Sequence, residues 1–352
     1  MGYSESGICK VHRVNDSRML IARQSSIAQI KTVSEGSKMG LIGRNVEVFP
    51  LALGTNIFGW TTDETAAHGV LDAFVGGGGN FIDTADSYSM WVAGHTGGEA
   101  ETIIGSWLAT SGRRDDVVLG TKVGQHPRYT GLAPTTVAAA AEESLRRLRT
   151  DYIDVYFAHL DDDDTPLHET VAAFDGLVKA GKVRFVGLSN YSAERIREWI
   201  RVAKAEGFDP PAVLQPVYNL VSRRLYETDL AAAAEEGNLA VMPYFGLASG
   251  FLTGKFRSLD DISGTDRAMI TQGFFSDEGL DVIDVLEDLA TAHSVSMAAV
   301  ALGWLVSRPG VIAPIASARN EHQLGDLMEV SELVLTENDL KRLDAVSDRI
   351  SR

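Results

Sequence analysis

The chain reads as a (β/α)8 barrel, a TIM barrel, with a short N-terminal β-hairpin and an added C-terminal helix. Three observations lead there. Eight short apolar runs recur from residue 51 onward, stretches of helical periodicity separate most of them, and polar residues close the runs one after another. That alternation is the pattern of repeated β-α units around a parallel sheet.

The strand-like segments start near Leu51, Phe81, Val117, Asp154, Val183, Val213, Leu239 and Val311. Helical periodicity is clearest over residues 135–148 and 281–293. Residues 41–49, Leu-Ile-Gly-Arg-Asn-Val-Glu-Val-Phe, fit a hairpin whose Gly-Arg-Asn turn caps the barrel floor. Residues 335–350 fit an added helix, with Thr336 placed to cap it and Leu340 and Leu343 on one face. No linker interrupts residues 41–352, so one barrel domain is expected over residues 39–352. A doubly wound dinucleotide fold would carry G-x-G-x-x-G after its first strand, and that fingerprint is absent. The glycine run 76–79 precedes a strand, so it reads as a helix C-cap and tight turn.

Composition narrows the function. With 352 residues and 45% apolar content the chain can bury a large core. Its 48 acidic and 32 basic residues give a formal charge of −16, which repels phosphate backbones and anionic lipid, so no nucleic-acid or membrane partner is expected. No apolar run approaches the ~20 residues of a spanning helix, and a cytoplasmic location is expected. Cys9 is the only cysteine, too few for a disulfide or a cysteine-rich zinc site. Residues 1–38 carry six Lys/Arg against three Asp/Glu and read as a disordered extension, or one upstream of a true start at Met39. Their composition also fits a transit peptide, and Gly2 with Ser6 fits an N-myristoylation pattern. Monomer and homo-oligomer are left open.

Barrel enzymes place their working groups at the C-terminal ends of strands. Asp83 closes Asn80-Phe-Ile-Asp, Tyr88 follows in the next loop, Lys122 closes Val117-Val-Leu-Gly-Thr-Lys, and His159 closes Asp154-Val-Tyr-Phe-Ala-His. Singly, each has a bland explanation as a cap, a packed ring, a solvated amine or a core histidine. At consecutive strand ends they share one mouth. Reducing a carbonyl needs a hydride and a proton, and a tyrosine can donate the proton if its pKa of ~10 is lowered. A cation ~4 Å away at an effective dielectric near 20 offers ~4 kcal/mol, so Lys122 is expected to lower it. Asp83 would hold the lysine charged, and His159 would donate a hydrogen bond to the carbonyl oxygen.

These residues carry a resemblance to the aldo-keto reductase superfamily that runs from Leu41 to about Asp348. Asn80-Phe-Ile-Asp-Thr-Ala-Asp-Ser-Tyr is similar to its Asp-Thr-Ala-x-x-Tyr signature. Ser144-Leu-Arg-Arg-Leu-Arg-Thr-Asp-Tyr-Ile-Asp-Val-Tyr-Phe-Ala-His resembles its helix-plus-strand signature ending in the active-site histidine. The resemblance implies NADPH-dependent reduction of aldehydes and ketones, with catalytic Asp83, Tyr88, Lys122 and His159. It implies Ser189, Asn190 and Gln215 at the nicotinamide carboxamide and Tyr244 stacked on the nicotinamide ring. Gly246 and Leu247 begin a loop similar to one that wraps the pyrophosphate, with Lys255 adding charge, and Gly54 and Thr55 join the cofactor set. After the eighth strand, Ser317 and Arg319 are implied at the adenosine 2′-phosphate, with Asn320, Gln323 and Asp326 nearer the ribose and adenine. Many members have lysine at Ser317, arginine at Gln323 and asparagine at Leu327. NADPH preference therefore rests on Arg319, and NADH use is possible.

Trp60 and Trp91 are expected as walls of a small-molecule carbonyl pocket. The acidic run Asp161 to Asp164 lacks the spaced ligands of a calcium loop, and no metal is expected. Two other readings stand beside the reductase: an NADPH-binding regulatory or redox-sensing subunit of the same fold with little turnover, and a lyase using Lys122 as a Schiff base.

Overall fold

The computed structural model describes residues 39–43, 45–262 and 271–350. The expected N-terminal extension, with its transit-peptide and myristoylation readings, lies outside the described residues.

Strands β1 (Gly40–Ile42) and β2 (Val46–Val48) pair antiparallel, as the 41–49 pattern requires. Strands β3 (Ala52–Gly54), β4 (Phe81–Asp83) and β5 (Val118–Val123) follow. The loop leaving β5 folds into a small antiparallel pair, β6 (Gln125–His126) and β7 (Tyr129–Thr130), which no sequence signal announces. Strands β8 (Ile153–Ala158), β9 (Val183–Ser189), β10 (Val213–Gln215), β11 (Ala240–Val241) and β12 (Ile315–Ala316) complete the set.

Eight of these form one parallel sheet in the order β11-β10-β9-β8-β5-β4-β3-β12. Its two edges meet. Val241 pairs with Val311, its N–H donates to Gly310 O at 2.9 Å, and Ile315 N–H donates to Pro243 O at 2.8 Å. Closure leaves the sheet without an open edge.

Side chains alternate across a strand with period 2, so one parity faces the barrel axis. Phe81, Val118, Val155, Phe157, Val213 and Met242 fill the interior, and Ile42, Val46 and Val48 of the hairpin join them from below. The expected floor cap is thus an apolar plug. Further along the strands, at the same parity, stand Asp83, Lys122, His159, Ser189, Gln215, Tyr244 and Ser317. Two glycines make room beneath them. A Cβ at Gly120 would lie 3.0 Å from the Phe81 ring, and one at Gly187 only 2.3 Å from the Phe157 ring.

A second apolar layer joins the outer face of the sheet to the helices. Helix Glu64–Gly76 is capped by Asp63 and ends in the glycine run, where Gly79 N–H donates to Phe74 O at 2.9 Å and Gly78 takes φ +93°. Helix Pro134–Leu148 begins with proline at N1 and ends on Arg149 in the left-handed region. Helix Asp277–His293 starts four residues before the expected 281. Helix Met297–Val306, unmarked by any periodicity, is buried on nearly every face. Helix Glu337–Ser347 carries a full capping box between Thr336 and Asp339 and buries Leu343, with Leu340 against the core. Among the described residues no single helix is long and apolar enough to cross a membrane.

Candidate active site

β4 and β5 are neighbours with Asp83 level with Gly120, which brings Asp83 beside Lys122. Lys122 Nζ lies 2.8 Å from each Asp83 carboxylate oxygen, 2.7 Å from Thr84 O and 3.0 Å from Tyr88 Oη. Three ammonium protons thus face four oxygens. Lys122 is fully enclosed and Asp83 nearly so. Asp83 also accepts from Gln215 Nε2 at 2.8 Å and, at a long 3.4 Å, from the Tyr88 hydroxyl. Every lone pair of the carboxylate is therefore committed, as a buried charge requires. The Tyr88 and His159 rings stand 6.2 Å apart in an edge-on contact.

Burial, with Asp83 adding its negative charge, pushes the Tyr88 hydroxyl well above the usual tyrosine value. This reverses the expectation that Lys122 lowers it. The ammonium does reach Oη, but its charge is already neutralised by the carboxylate, so desolvation and Asp83 prevail. Burial lowers the Lys122 pKa, against the opposing pull of Asp83. His159 falls to about 3, through burial and then the Lys122 charge, so its ring is neutral at ordinary pH. Its Nδ1 is buried without a hydrogen-bond partner.

The implied cofactor residues divide into groups. Ser189, Asn190, Gln215 and Tyr244 form one network. Ser189 Oγ donates to Gln215 O at 3.0 Å, Asn190 Nδ2 donates to Ser189 Oγ at 3.1 Å and to His159 O at 2.8 Å, and Tyr244 Oη donates to Asn190 Oδ1 at 2.7 Å. Gln215 also reaches the other group, its Nε2 donating to Asp83 at 2.8 Å. Thr55 Oγ1 donates to Asp83 O at 2.9 Å, and a Cβ at Gly54 would press on Ser317 Oγ at 2.8 Å.

The loop after Tyr244 is unusual in its backbone. Phe245, Ala248 and Ser249 take φ of +57°, +47° and +57°, and Gly250 takes +92°. Non-glycine residues in this region cost roughly 1–3 kcal/mol each. Gly246 packs within 3.2 Å of Leu302 and Leu305, measured from where its Cβ would lie, and Lys255 sits beside Gly250. Ser249 Oγ is buried without a partner.

Ser317 Oγ donates to Asn56 Oδ1 at 2.9 Å, and Gln323 Oε1 accepts the Arg319 backbone N–H at 3.0 Å. Asn320 caps helix Glu321–Met328. Asp326 lies on that helix 3.8 Å from His322, while Leu327 is buried. Residues 65, 66, 69 and 320–323 line an open depression of about 730 Å³.

Trp60 and Trp91 meet edge-to-face at 5.7 Å, and Trp91 reaches Tyr88 at 6.2 Å. The acidic run is a structural cap: Asp161 is held by Arg195 at 2.7 and 2.9 Å, and Asp162 accepts from Leu132 N and Thr165 Oγ1. Among the described residues no cluster of three His, Cys, Asp or Glu could hold a metal.

Several residues near the site escaped sequence reasoning. Asn56 was overlooked although it follows the first strand end directly. Behind the tetrad, Thr121 Oγ1 donates to Glu101 at 2.6 Å and Arg147 pairs with the same Glu101 at 2.6 Å. Asp86 is buried there, both its oxygens without partners, and burial, reinforced by Glu101, raises its pKa well above the carboxylate range. No local pattern marks these groups, because the outer face of a barrel strand is normally apolar.

The chain matches the Aldo/keto reductase family model over residues 50–348, and it belongs to that family. Among its relatives is a probable voltage-gated potassium channel subunit beta from Oryza sativa subsp. japonica, 32% identical over 82% of this chain and 89% of that protein. The aldo-keto reductase YhdN of Bacillus subtilis (strain 168) is 30% identical over 86% of this chain and 90% of its own length. Norsolorinic acid reductase of Aspergillus flavus is 28% identical, covering 85% of this chain and 78% of the relative.

Proposed function

We propose that residues 39–352 act as one reductase domain that uses NADPH to reduce the carbonyl of a small molecule to an alcohol. The observation that carries this reading is Lys122 Nζ bridging the Asp83 carboxylate and the Tyr88 hydroxyl in one enclosed group. The surroundings suit a dinucleotide. The exposed amide of Asn190 and the half-exposed ring of Tyr244 lie beside His159, matching a polar carboxamide on a flat ring. Ser249 Oγ is an orphan hydroxyl in a loop with three left-handed non-glycine residues, which suits it to a polar group of the cofactor. Arg319, near the N-terminus of helix Glu321–Met328, would hold the 2′-phosphate.

When bound there, NADPH supplies a hydride to the carbonyl carbon. Neutral His159 donates from Nε2 to the carbonyl oxygen and orients it. Tyr88, kept protonated by its raised pKa, gives its proton to that oxygen as negative charge develops. The resulting phenolate is stabilised by Lys122, and Asp83 keeps the ammonium in place. Lys122 is a poor Schiff-base nucleophile in this setting, since its protons are all engaged.

A test is to offer C4-deuterated NADPH with a panel of aldehydes and ketones. Deuterium at the new carbinol carbon supports the reading. The relationship to a channel subunit beta favours a second one, NADPH binding with little turnover. Tight NADPH binding, no alcohol from any carbonyl and co-purification with a membrane protein would establish that role instead.

A further inference from the structure

We infer that the substrate is a neutral aromatic carbonyl compound, an aryl aldehyde or aryl ketone, held by ring stacking at the mouth; the inference rests on the carbonyl-reductase reading. Seven large hydrophobic side chains are exposed among the described residues, and four of them adjoin the tetrad and its ring network. Met90 and Trp91 follow Tyr88, Leu160 follows His159, and Phe245 follows Tyr244; they are 36%, 47%, 48% and 36% exposed. An isolated exposed apolar residue needs no explanation, whereas a cluster around one opening marks a binding surface.

The cluster is continuous. Trp60 meets Trp91 at 5.7 Å, Trp91 meets Tyr88 at 6.2 Å, and Tyr88 meets His159 at 6.2 Å. Beyond His159, Asn190 links to Tyr244, which packs on Phe245 at 5.1 Å. Because Trp91 and Tyr88 are in ring contact at 6.2 Å, a flat ring laid against Trp91 lies next to Tyr88. Edge-on and offset ring contacts of this kind favour aryl over alkyl ligands of equal size.

Charge points the same way. In a chain that is 23% charged, residues 89–98 and 54–62, the two loops that carry the tryptophans, contain no Asp, Glu, Lys or Arg. The nearest acid after Leu160, Asp161, is bound by Arg195 at 2.7 and 2.9 Å. No Lys or Arg in these two loops offers a partner for a substrate carboxylate or phosphate.

The test compares kcat/KM for 2-naphthaldehyde, 4-carboxybenzaldehyde and glyceraldehyde, and measures 2-naphthaldehyde binding to the NADP⁺ complex by tryptophan fluorescence. Expected are a preference for 2-naphthaldehyde over glyceraldehyde of roughly 30-fold or more and over the carboxylate of roughly tenfold. Trp91→Ala should reduce the first ratio at least about tenfold, and Trp91→Phe should retain most of it. Equal or better use of glyceraldehyde or of 4-carboxybenzaldehyde would overturn the inference. If no aldehyde or ketone turns over, the reductase reading fails on its own. Saturable quenching that Trp91→Ala abolishes would then still support an aryl site, and absence of binding would overturn it.

Discussion

Lys122 Nζ stands 2.8 Å from both carboxylate oxygens of Asp83, and the pair is shut away from solvent. Breaking a buried ion pair by removing one partner costs about 3–5 kcal/mol, because the remaining charge is stranded. Asp83→Asn and Lys122→Met should each lower the unfolding free energy by about 3 kcal/mol, with the double variant losing clearly less than the sum. Urea denaturation of the four proteins measures this. Additive losses would show that the two charges do not support each other.

Asp86 gives a prediction of opposite character. Its folded pKa is raised by burial, so as pH climbs through the ordinary carboxylate range the unfolded chain gives up this proton while the folded one keeps it. Stability then falls with rising pH. Asp86→Asn removes that loss. The variant should match the wild type near pH 4 and gain on it by up to about 1.4 kcal/mol per pH unit until the folded carboxyl titrates. Denaturation at pH 4.5 and 7.5 tests it, and a variant that loses ground at the higher pH would contradict it.

For His159 the sign is the other way round in pH. Its folded value of about 3 lies below the ordinary histidine value, so between roughly 6.5 and 3 the unfolded chain takes up a proton that the folded ring refuses. Stability contributed by this neutral ring is present above the ordinary value and lost as pH falls. His159→Gln should therefore lose less stability than the wild type between pH 7 and 4. Melting temperatures across that range would show it, and parallel curves would sink the idea. The same value places no His159 inflection in kcat/KM between pH 5 and 9.

Ser317 is bound to Asn56 and Gln323 to the Arg319 backbone, so the proposed NADPH preference rests on the Arg319 charge. Arg319→Ala should weaken NADPH binding by roughly 10-fold to 100-fold, the worth of a charged hydrogen-bonded pair, and leave NADH nearly unchanged. Fluorescence titration with both cofactors decides. An unchanged preference for NADPH would remove Arg319 from the site.

Much of this architecture was legible because its cause is local. Strand starts at Phe81, Val183 and Val213 coincide with the sequence expectation, since short apolar runs ending in polar residues leave few alternatives. The tetrad followed from strand-end placement. Helix Met297–Val306 was not legible, because a helix buried on all faces has no amphipathic period to detect. Nor was the direction of the Tyr88 shift, which depends on how fully Asp83 neutralises Lys122. The Glu101–Arg147 pair and the orphan carboxyl of Asp86 lie behind the sheet, brought together by helices Glu99–Ser111 and Pro134–Leu148 from separate parts of the chain. Spacing along the sequence carries no trace of that meeting.

The central claim is that the Tyr88 hydroxyl donates the proton to a carbonyl held at the barrel mouth. Single-turnover NADPH oxidation by Tyr88→Phe, with a carbonyl the wild type reduces and with cofactor affinity measured alongside, tests it most directly. The account predicts a rate lowered by about 10²–10⁴-fold, the usual contribution of a positioned general acid, with NADPH affinity within about twofold of wild type. A variant that oxidises NADPH within about threefold of the wild-type rate would contradict it.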